Sequence, residues 1–167
     1  MKTKTIIPHI PFYFVRHGET DWNRINGGLC KEDEIPLNQT GLLQATKVCK
    51  QLDSLNITKI CSSPLKRAKQ TAEIIRDYLN EIPLEFYPDL GKISDETIGT
   101  IFAEILKPSQ TLLIVSHGEV YRILLRILDA QSVHPKAKNC GLYFFNPPSP
   151  ELNQWTVSEL GDEYKNG

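Results

Sequence analysis

Two histidines stand beside glycine in similar surroundings, one in each half of the chain. His17 lies between Arg16 and Gly18, and His117 is followed by Gly118. Each histidine stands two positions after the end of an apolar run that predicts a buried strand. A neutral imidazole is a nucleophile, and an arginine can hold a phosphate through two parallel hydrogen bonds while it stays charged. One His-Gly pair would be an incidental loop feature, but two in the same setting indicate a site for phosphoryl transfer.

A second arginine follows another predicted strand. Arg67 comes shortly after Pro64, where a helical pattern begins, so its side chain can reach the same edge of a sheet as His17. Alone, it would be expected to be a solvated helix residue. A phosphoryl group in transfer needs an in-line nucleophile and cations around its equatorial oxygens. Arg16 and Arg67 are the candidates for those cations.

Short apolar runs alternate with helical patterns along the chain. The predicted strands are residues 12–15, 59–62, 84–87, 111–115, 142–145 and 155–157. The predicted helices are residues 38–55, 68–79, 98–105 and 120–128, the first of them capped by Asn38 or Thr40. The segment between the first strand and the first helix, through Gly27-Gly28 and the acidic stretch KEDE, is predicted to be a loop.

This alternation predicts an α/β fold, a three-layer, doubly wound and mostly parallel sheet with helices on both faces. We expect one domain over residues 1–167, because no repeat, linker or low-complexity tract divides the chain. Ligands of such sheets bind at the carboxyl ends of the strands. Both histidines are therefore expected to meet at one edge.

Composition excludes several classes of partner. The 167 residues carry a formal net charge of -1, so no global field favours nucleic acid or an anionic membrane. No apolar run reaches membrane-spanning length. The lysines and apolar residues at the N-terminus imitate a secretion signal, but prolines interrupt the stretch and it runs into the first predicted strand. We therefore expect a cytoplasmic protein, and the oligomeric state is not predicted.

The cysteines do not indicate a metal site. They are scattered without the spacing of metal ligands, which is typical of buried thiols in a reducing compartment, at Cys30, Cys49, Cys61 and Cys140. His17 and His117 could bind zinc together, but no third ligand stands at a readable spacing. We expect neither a metal nor another cofactor.

Four blocks of the sequence resemble the histidine phosphatase superfamily, in its phosphoglycerate-mutase-like branch. They read FYFVRHGETDWN, then PLNQTGLLQA at 36–45, SSPLKRAKQTAEII at 62–75 and IVSHGEVYRILL at 114–125. They occur in the family's order and cover both halves of the chain. The resemblance implies a phosphoglycerate-mutase-like fold and a metal-independent enzyme, with a small phosphorylated substrate as its partner.

The resemblance also implies roles for single residues. His17 matches the residue that becomes phosphorylated, and Arg16 and Arg67 match the arginines that hold the phosphate. His117 matches the second histidine, which also contacts phosphate. Asn23 matches an asparagine that contacts phosphate or substrate.

Glycine lets the backbone approach an anion closely, so the N–H of Gly18 or Gly118 is expected to help bind the phosphate. Ser62 and Ser63 are expected to shape a turn rather than to take part in chemistry.

The sequence departs from the family at the general acid. Many relatives carry a glutamate shortly after the third strand, where this chain has Lys92. Glu119 is the first replacement, because distant relatives carry their acid just after the second histidine; alternatively, Glu119 only begins a helix and complements its dipole. Weaker candidates are Asp89, Asp95 and Glu96.

The connection over residues 88–110 is short and has room for one helix, which predicts a lid-poor, open site. Water can reach a phosphoenzyme there, which favours a phosphatase over a mutase. An open site also admits a phosphoprotein as the substrate. If the phosphate of that protein is carried by a histidine, the imidazole is a good leaving group and needs little help from an acid. A non-catalytic binder of phosphorylated ligands is the alternative that Lys92 leaves open.

Overall fold

The computed structural model describes residues 5–27, 30 and 32–161, and within them seven strands form one sheet. The strands are β1 (Phe12–Arg16), β2 (Lys59–Ser62), β3 (Leu84–Phe86), β4 (Leu112–Ser116), β5 (Gln131–Ser132), β6 (Leu142–Asn146) and β7 (Thr156–Glu159). The helices are α1 (Asp21–Ile25), α2 (Gln39–Leu52), α3 (Lys66–Tyr78), α4 (Asp95–Ile105) and α5 (Gly118–Ile127).

The sheet has the strand order β3-β2-β4-β1-β6-β7-β5. Strands β3, β2, β4 and β1 run parallel, whereas β6 runs antiparallel to both β1 and β7. The short β5 pairs parallel with β7 at the far edge. The predicted α/β architecture with a mostly parallel sheet is confirmed.

Strand β4 explains how the layers are built, because all five of its residues are buried. Leu113 and Val115 belong to a core cluster with the buried side chains of α2 and α3. Leu112 and Ile114 belong to a second cluster with those of α4 and α5. Successive side chains of a strand point to opposite faces, so a strand covered on both sides must be apolar throughout.

A short helix interrupts the segment that the sequence predicts to be a loop. Helix α1 begins after Thr20, whose side chain accepts the backbone N–H of Asn23, while the Asn23 side chain accepts the N–H of Thr20. This reciprocal cap satisfies two N–H groups that would otherwise lack partners, so five residues suffice for a helical turn. The loop prediction is wrong for these residues; Gly28, Leu29 and Lys31 of the same segment lie outside the described residues.

The remaining differences are small. The first long helix is capped by Asn38 rather than Thr40. The connection over 88–110 holds a 3₁₀ turn, Pro88–Gly91, before α4. Strand β5 has no counterpart in the prediction.

Within residues 5–27, 30 and 32–161, no helix combines the length and apolar character that crossing a bilayer requires. All four cysteines are free thiols, three of them buried.

Candidate active site

The two histidines follow neighbouring parallel strands in register. Arg16 at the end of β1 pairs with Ser116 at the end of β4, and the N–H of His17 donates to the Ser116 carbonyl at 2.9 Å. The ring centroids of His17 and His117 lie 5.2 Å apart at an interplanar angle of 60°. Arg67 stands in the first turn of α3, after β2, which pairs with β4 on its other side. The topology therefore brings both histidines and both arginines to one sheet edge.

The contacts of His17 leave one ring nitrogen with its lone pair. Nδ1 lies 2.8 Å from the carbonyl oxygen of Gly18, and a carbonyl only accepts, so Nδ1 carries the proton. Burial lowers the pKa of His17 to about 3, and the charges of Arg16 and Arg67 act in the same direction, although the Gly18 contact opposes them. The imidazole is therefore neutral at pH 7, with Nε2 unprotonated.

His117 is held by a residue whose role the sequence did not indicate. Its Nε2 lies 2.8 Å from Oγ of Ser63, and its Nδ1 is buried with no partner. Burial lowers the pKa of His117 well below its usual value, and the neighbouring His17 and the two arginines lower it further. Ser63 follows β2 directly, as His117 follows β4. The parallel pairing of those strands was therefore the signal that could have found it.

Both arginines are anchored to backbone carbonyls and keep a buried donor without a partner. Nη1 of Arg16 donates to Ala137 at 2.9 Å, and Nη1 of Arg67 donates to Glu32 at 3.0 Å. In each guanidinium the Nε is buried and unpaired, as is Nδ1 of His117. An unsatisfied buried donor destabilises a protein by about 1–3 kcal/mol. Arg16, Arg67 and His117 all line the same pocket, so an anion bound there would lie among three residues that each keep an unpartnered nitrogen.

The glycines differ in what they contact. Gly118 is the first residue of α5, a helix without a side-chain cap, and a Cβ added to it would lie 3.6 Å from Cζ of Arg16. The free N–H groups of that helix end can bind an anion. Gly18, by contrast, donates its N–H to Thr71 Oγ1 at 3.1 Å, and a Cβ there would lie 2.6 Å from the carbonyl of Gly41. The structure therefore uses Gly18 for close backbone packing and does not place it in the pocket wall.

Asn23 lines the pocket, but its amide is engaged within the protein. Oδ1 accepts from Thr20, and Nδ2 donates to Oδ1 of Asn139 at 2.9 Å. Asn139 in turn donates to the carbonyl of His17 at 3.0 Å. This chain connects the wall of the pocket to the backbone of His17, and Asn139 is a further residue that the sequence analysis missed.

Glu119 is the candidate acid that the structure brings to the site. It is the single carboxylate among the described residues that line the pocket, and it forms an ion pair with Arg122 one turn further along α5.

The other candidates for the acid lie elsewhere. Asp89 forms an ion pair with Lys92 at 2.6 Å, and neither lines the pocket. Asp95 and Glu96 begin α4 and line a different groove beside Trp155. The structure does not bring these three carboxylates to the histidines.

The pocket between the histidines has a volume of about 190 Å³, below the roughly 300–1,000 Å³ of sites for drug-sized ligands. Its size suits a phosphate with a small substituent. Within the described residues no three His, Cys, Asp or Glu side chains cluster closely enough to bind a metal ion.

Known proteins are similar to this chain in sequence. The sequence profile of the histidine phosphatase superfamily (branch 1) matches residues 12–94. The chain is 36% identical over 143 residues to the uncharacterized phosphatase PhoE of Bacillus subtilis (strain 168), which covers 66% of this chain and 73% of PhoE. It is 48% identical over 66 residues to the probable phosphoglycerate mutase GpmB of Proteus mirabilis (strain HI4320), which covers 38% of this chain and only 29% of that protein.

A solved structure shares the fold. Bacillus stearothermophilus YhfR superposes with a TM-score of 0.73 at 21% identity, over 91% of this chain and 96% of YhfR. Together with the likeness to PhoE over most of its length, the profile match assigns the family. This chain belongs to the histidine phosphatase superfamily.

Proposed function

We propose that this chain is a metal-independent phosphatase that hydrolyses small phosphomonoesters through a phosphohistidine on His17. One observation carries the proposal: unpartnered nitrogens of Arg16, Arg67 and His117 lie buried around the pocket that holds the neutral His17. Cations and N–H donors fixed in this way stabilise the negative charge on the equatorial oxygens of a transferring phosphoryl group.

In the first step, Nε2 of His17 forms a bond to phosphorus while the bond from phosphorus to the ester oxygen breaks. The ring then carries a positive charge, which the Gly18 carbonyl stabilises at the Nδ1 proton. Arg16, Arg67 and His117, together with the N–H groups that begin α5, would hold the phosphoryl oxygens. The departing oxygen takes a proton from Glu119.

In the second step, water attacks phosphorus from the side that the alcohol has left. The Nε2–phosphorus bond breaks, inorganic phosphate leaves, and Glu119 takes the proton of the water. His17 returns to its neutral form. Glu119 is assigned both roles because it is the one pocket carboxylate among the described residues.

A phosphoglycerate-type mutase is the second candidate, favoured by the likeness to GpmB over 66 residues. A mutase must retain its phosphoenzyme while the sugar acid changes its orientation in the site. Here the connection over 88–110 consists of a 3₁₀ turn and α4, with no larger lid. This short connection supports hydrolysis over transfer.

The test is trapping of a phosphoenzyme. The protein is incubated with a ³²P-labelled aryl phosphate in the presence of a chelator, and acid-labile, base-stable label on the protein is measured together with phosphate release. We expect up to one label per chain in the wild type and none in His17→Ala, with turnover lost in the same variant. His9→Ala is the matched control, because His9 is exposed and lies outside the pocket.

Each outcome distinguishes the candidates. Label and turnover that persist in His17→Ala would contradict the nucleophile. Label without release of phosphate, together with isomerisation of a phosphorylated sugar acid, would favour the mutase. Tight binding of phosphate esters with neither label nor turnover would indicate a non-catalytic binder.

A further inference from the structure

A second pair of cationic side chains lines the pocket beyond the arginines beside His17. Arg122 projects from α5 and Lys136 from the loop between β5 and β6, and both are exposed. Burial lowers the pKa of Arg16, and the positive charges of Arg122 and Arg67 lower it further. Arg16, Arg122 and Lys136 line the same pocket, so its positive charge is not confined to the two arginines beside His17.

The loop that carries Lys136 is fixed to the active-site strand. The carbonyl of Ala137 accepts from Nη1 of Arg16 at 2.9 Å, and the N–H of Cys140 donates to the Arg16 carbonyl at 2.9 Å. Asn139 donates to the carbonyl of His17 at 3.0 Å. The backbone that carries Lys136 is therefore attached to the strand that ends at the phosphate site.

The charges at the mouth are not balanced. Lys138 and His134, which flank Lys136 in sequence, both contact Glu159, at 3.0 and 3.3 Å. Lys136 itself has no ion-pair partner within the described part of the chain. Glu119 in its ionised form offsets the charge of Arg122, so at least one positive charge is left uncompensated, and both are when Glu119 carries the proton that it gives to the leaving group.

The same pocket also has apolar lining. Leu65, Gly91 and Ile93 contribute to it, and Ile93 is half exposed. The pocket therefore offers apolar contacts for the carbon skeleton of a substrate as well as charged groups.

We infer that Arg122 and Lys136 form a second anion subsite, so that this chain prefers phosphomonoesters whose leaving group carries a further negative charge. A carboxylate and a second phosphate share the required chemistry. The inference rests on the proposed function, since it concerns the leaving group of that reaction.

The experiment compares esters that differ in one charge. The value of kcat/KM is measured for 4-carboxyphenyl phosphate and for its neutral analogue, 4-carbamoylphenyl phosphate, and 4-(phosphonomethyl)phenyl phosphate provides the phosphate-like arm. The variants are Lys136→Met, Lys136→Glu and Lys136→Arg. Lys107→Met is the control, because Lys107 is exposed and precedes β4, at the opposite end of the sheet from the site.

We expect the ratio of the charged to the neutral ester to fall about threefold to fivefold in Lys136→Met, as for a partly exposed charge pair, and further in Lys136→Glu. Lys136→Arg and Lys107→Met should keep the ratio of the wild type. Salt should reduce the preference of the wild type, because exposed charges are screened. The subsite prefers whichever anion, carboxylate or phosphonate, belongs to the ester whose kcat/KM falls more in Lys136→Met.

Hydrolysis of both esters with the same ratio in the wild type, Lys136→Met and Lys136→Glu would overturn the subsite and leave the proposed function intact. Hydrolysis of neither ester would contradict the proposed function. In that case the same ratio is taken from dissociation constants measured by calorimetry, and an unchanged ratio again overturns the subsite.

Discussion

The hydroxyl oxygen of Ser63 lies 2.8 Å from Nε2 of His117, although 54 positions separate the two residues. The same oxygen accepts the N–H of Leu65 at 3.3 Å, so the hydroxyl is fixed from its own turn. Both Ser63 and His117 are buried. The serine thereby holds the imidazole ring at the wall of the phosphate site.

Removal of this hydroxyl should impair both phosphate binding and stability. In Ser63→Ala, Nε2 of His117 is buried without a partner, and we expect kcat/KM to fall about tenfold, with an unfolding free energy lower by about 1–3 kcal/mol. The measurements are steady-state kinetics, the dissociation constant of inorganic phosphate and urea denaturation. Ser109→Ala, in an exposed loop, is the control. A change of less than twofold in both kinetics and phosphate affinity would remove Ser63 from this role.

Glu119 should matter most for poor leaving groups. General acid catalysis contributes about 10²–10⁴-fold, and an aryl oxide departs with little help. We therefore expect Glu119→Gln to lower kcat/KM by at least about 10²-fold for an alkyl phosphate and by less than about tenfold for an aryl phosphate. Asp89→Asn should change neither rate, because that carboxylate pairs with Lys92 outside the pocket. An equal loss on both esters would exclude Glu119 as the acid.

Asn139 should act on the reaction through the backbone of His17. Asn139→Ala removes the donor to the His17 carbonyl and the acceptor of Asn23. We expect the unfolding free energy to fall by about 1–3 kcal/mol and kcat to fall with little change in KM, because the nucleophile loses its position. Asn153→Ala, at an exposed position, is the control. A higher KM at constant kcat would instead indicate a direct contact of Asn139 with substrate.

Gly41 should be intolerant of a methyl group. A Cβ at Gly41 would collide with the backbone oxygen of Glu19. The nearest atoms all belong to the Glu19 backbone, so no flexible side chain can move aside to make room. Alanine in place of glycine within a helix normally stabilises by about 1 kcal/mol. We expect Gly41→Ala to destabilise by about 1–3 kcal/mol in urea denaturation, the opposite sign. Gly161→Ala, with no atom within 4 Å of the added carbon, should be neutral. A stabilised Gly41→Ala would show that the turn at Glu19 yields.

The sequence predicted the features that are local and missed those that depend on distant partners. The apolar run of β4 and the residue types around His17 and His117 are visible in a few consecutive positions. Asn139, in contrast, acts on a carbonyl 122 positions earlier, and an isolated asparagine in a loop gives no local signal of that contact. Asp89 was a candidate only by its place in the chain, and its ion pair with Lys92 depends on the 3₁₀ turn.

The two buried histidines should make stability depend on pH. The pKa of His17 is lowered to about 3 and that of His117 well below its usual value, chiefly by burial. An unfolded histidine titrates near pH 6.5. Below that pH the unfolded state therefore binds protons that the folded state does not, and the unfolding free energy falls. Above it, these two groups contribute no dependence on pH.

Replacement of His17 should measure its own share of the pH dependence of the unfolding free energy. His17 should remove about 1.4 kcal/mol per pH unit, or about 2 kcal/mol between pH 6.5 and 5, and His117 acts in the same direction. We expect His17→Gln to be less sensitive to pH than the wild type by that amount, in urea denaturation at several pH values. His9→Gln, at an exposed position, should keep the slope of the wild type. If His17→Gln has that slope too, the folded protein binds a proton at His17, and the ring cannot be the neutral nucleophile that the contact with the Gly18 carbonyl indicates.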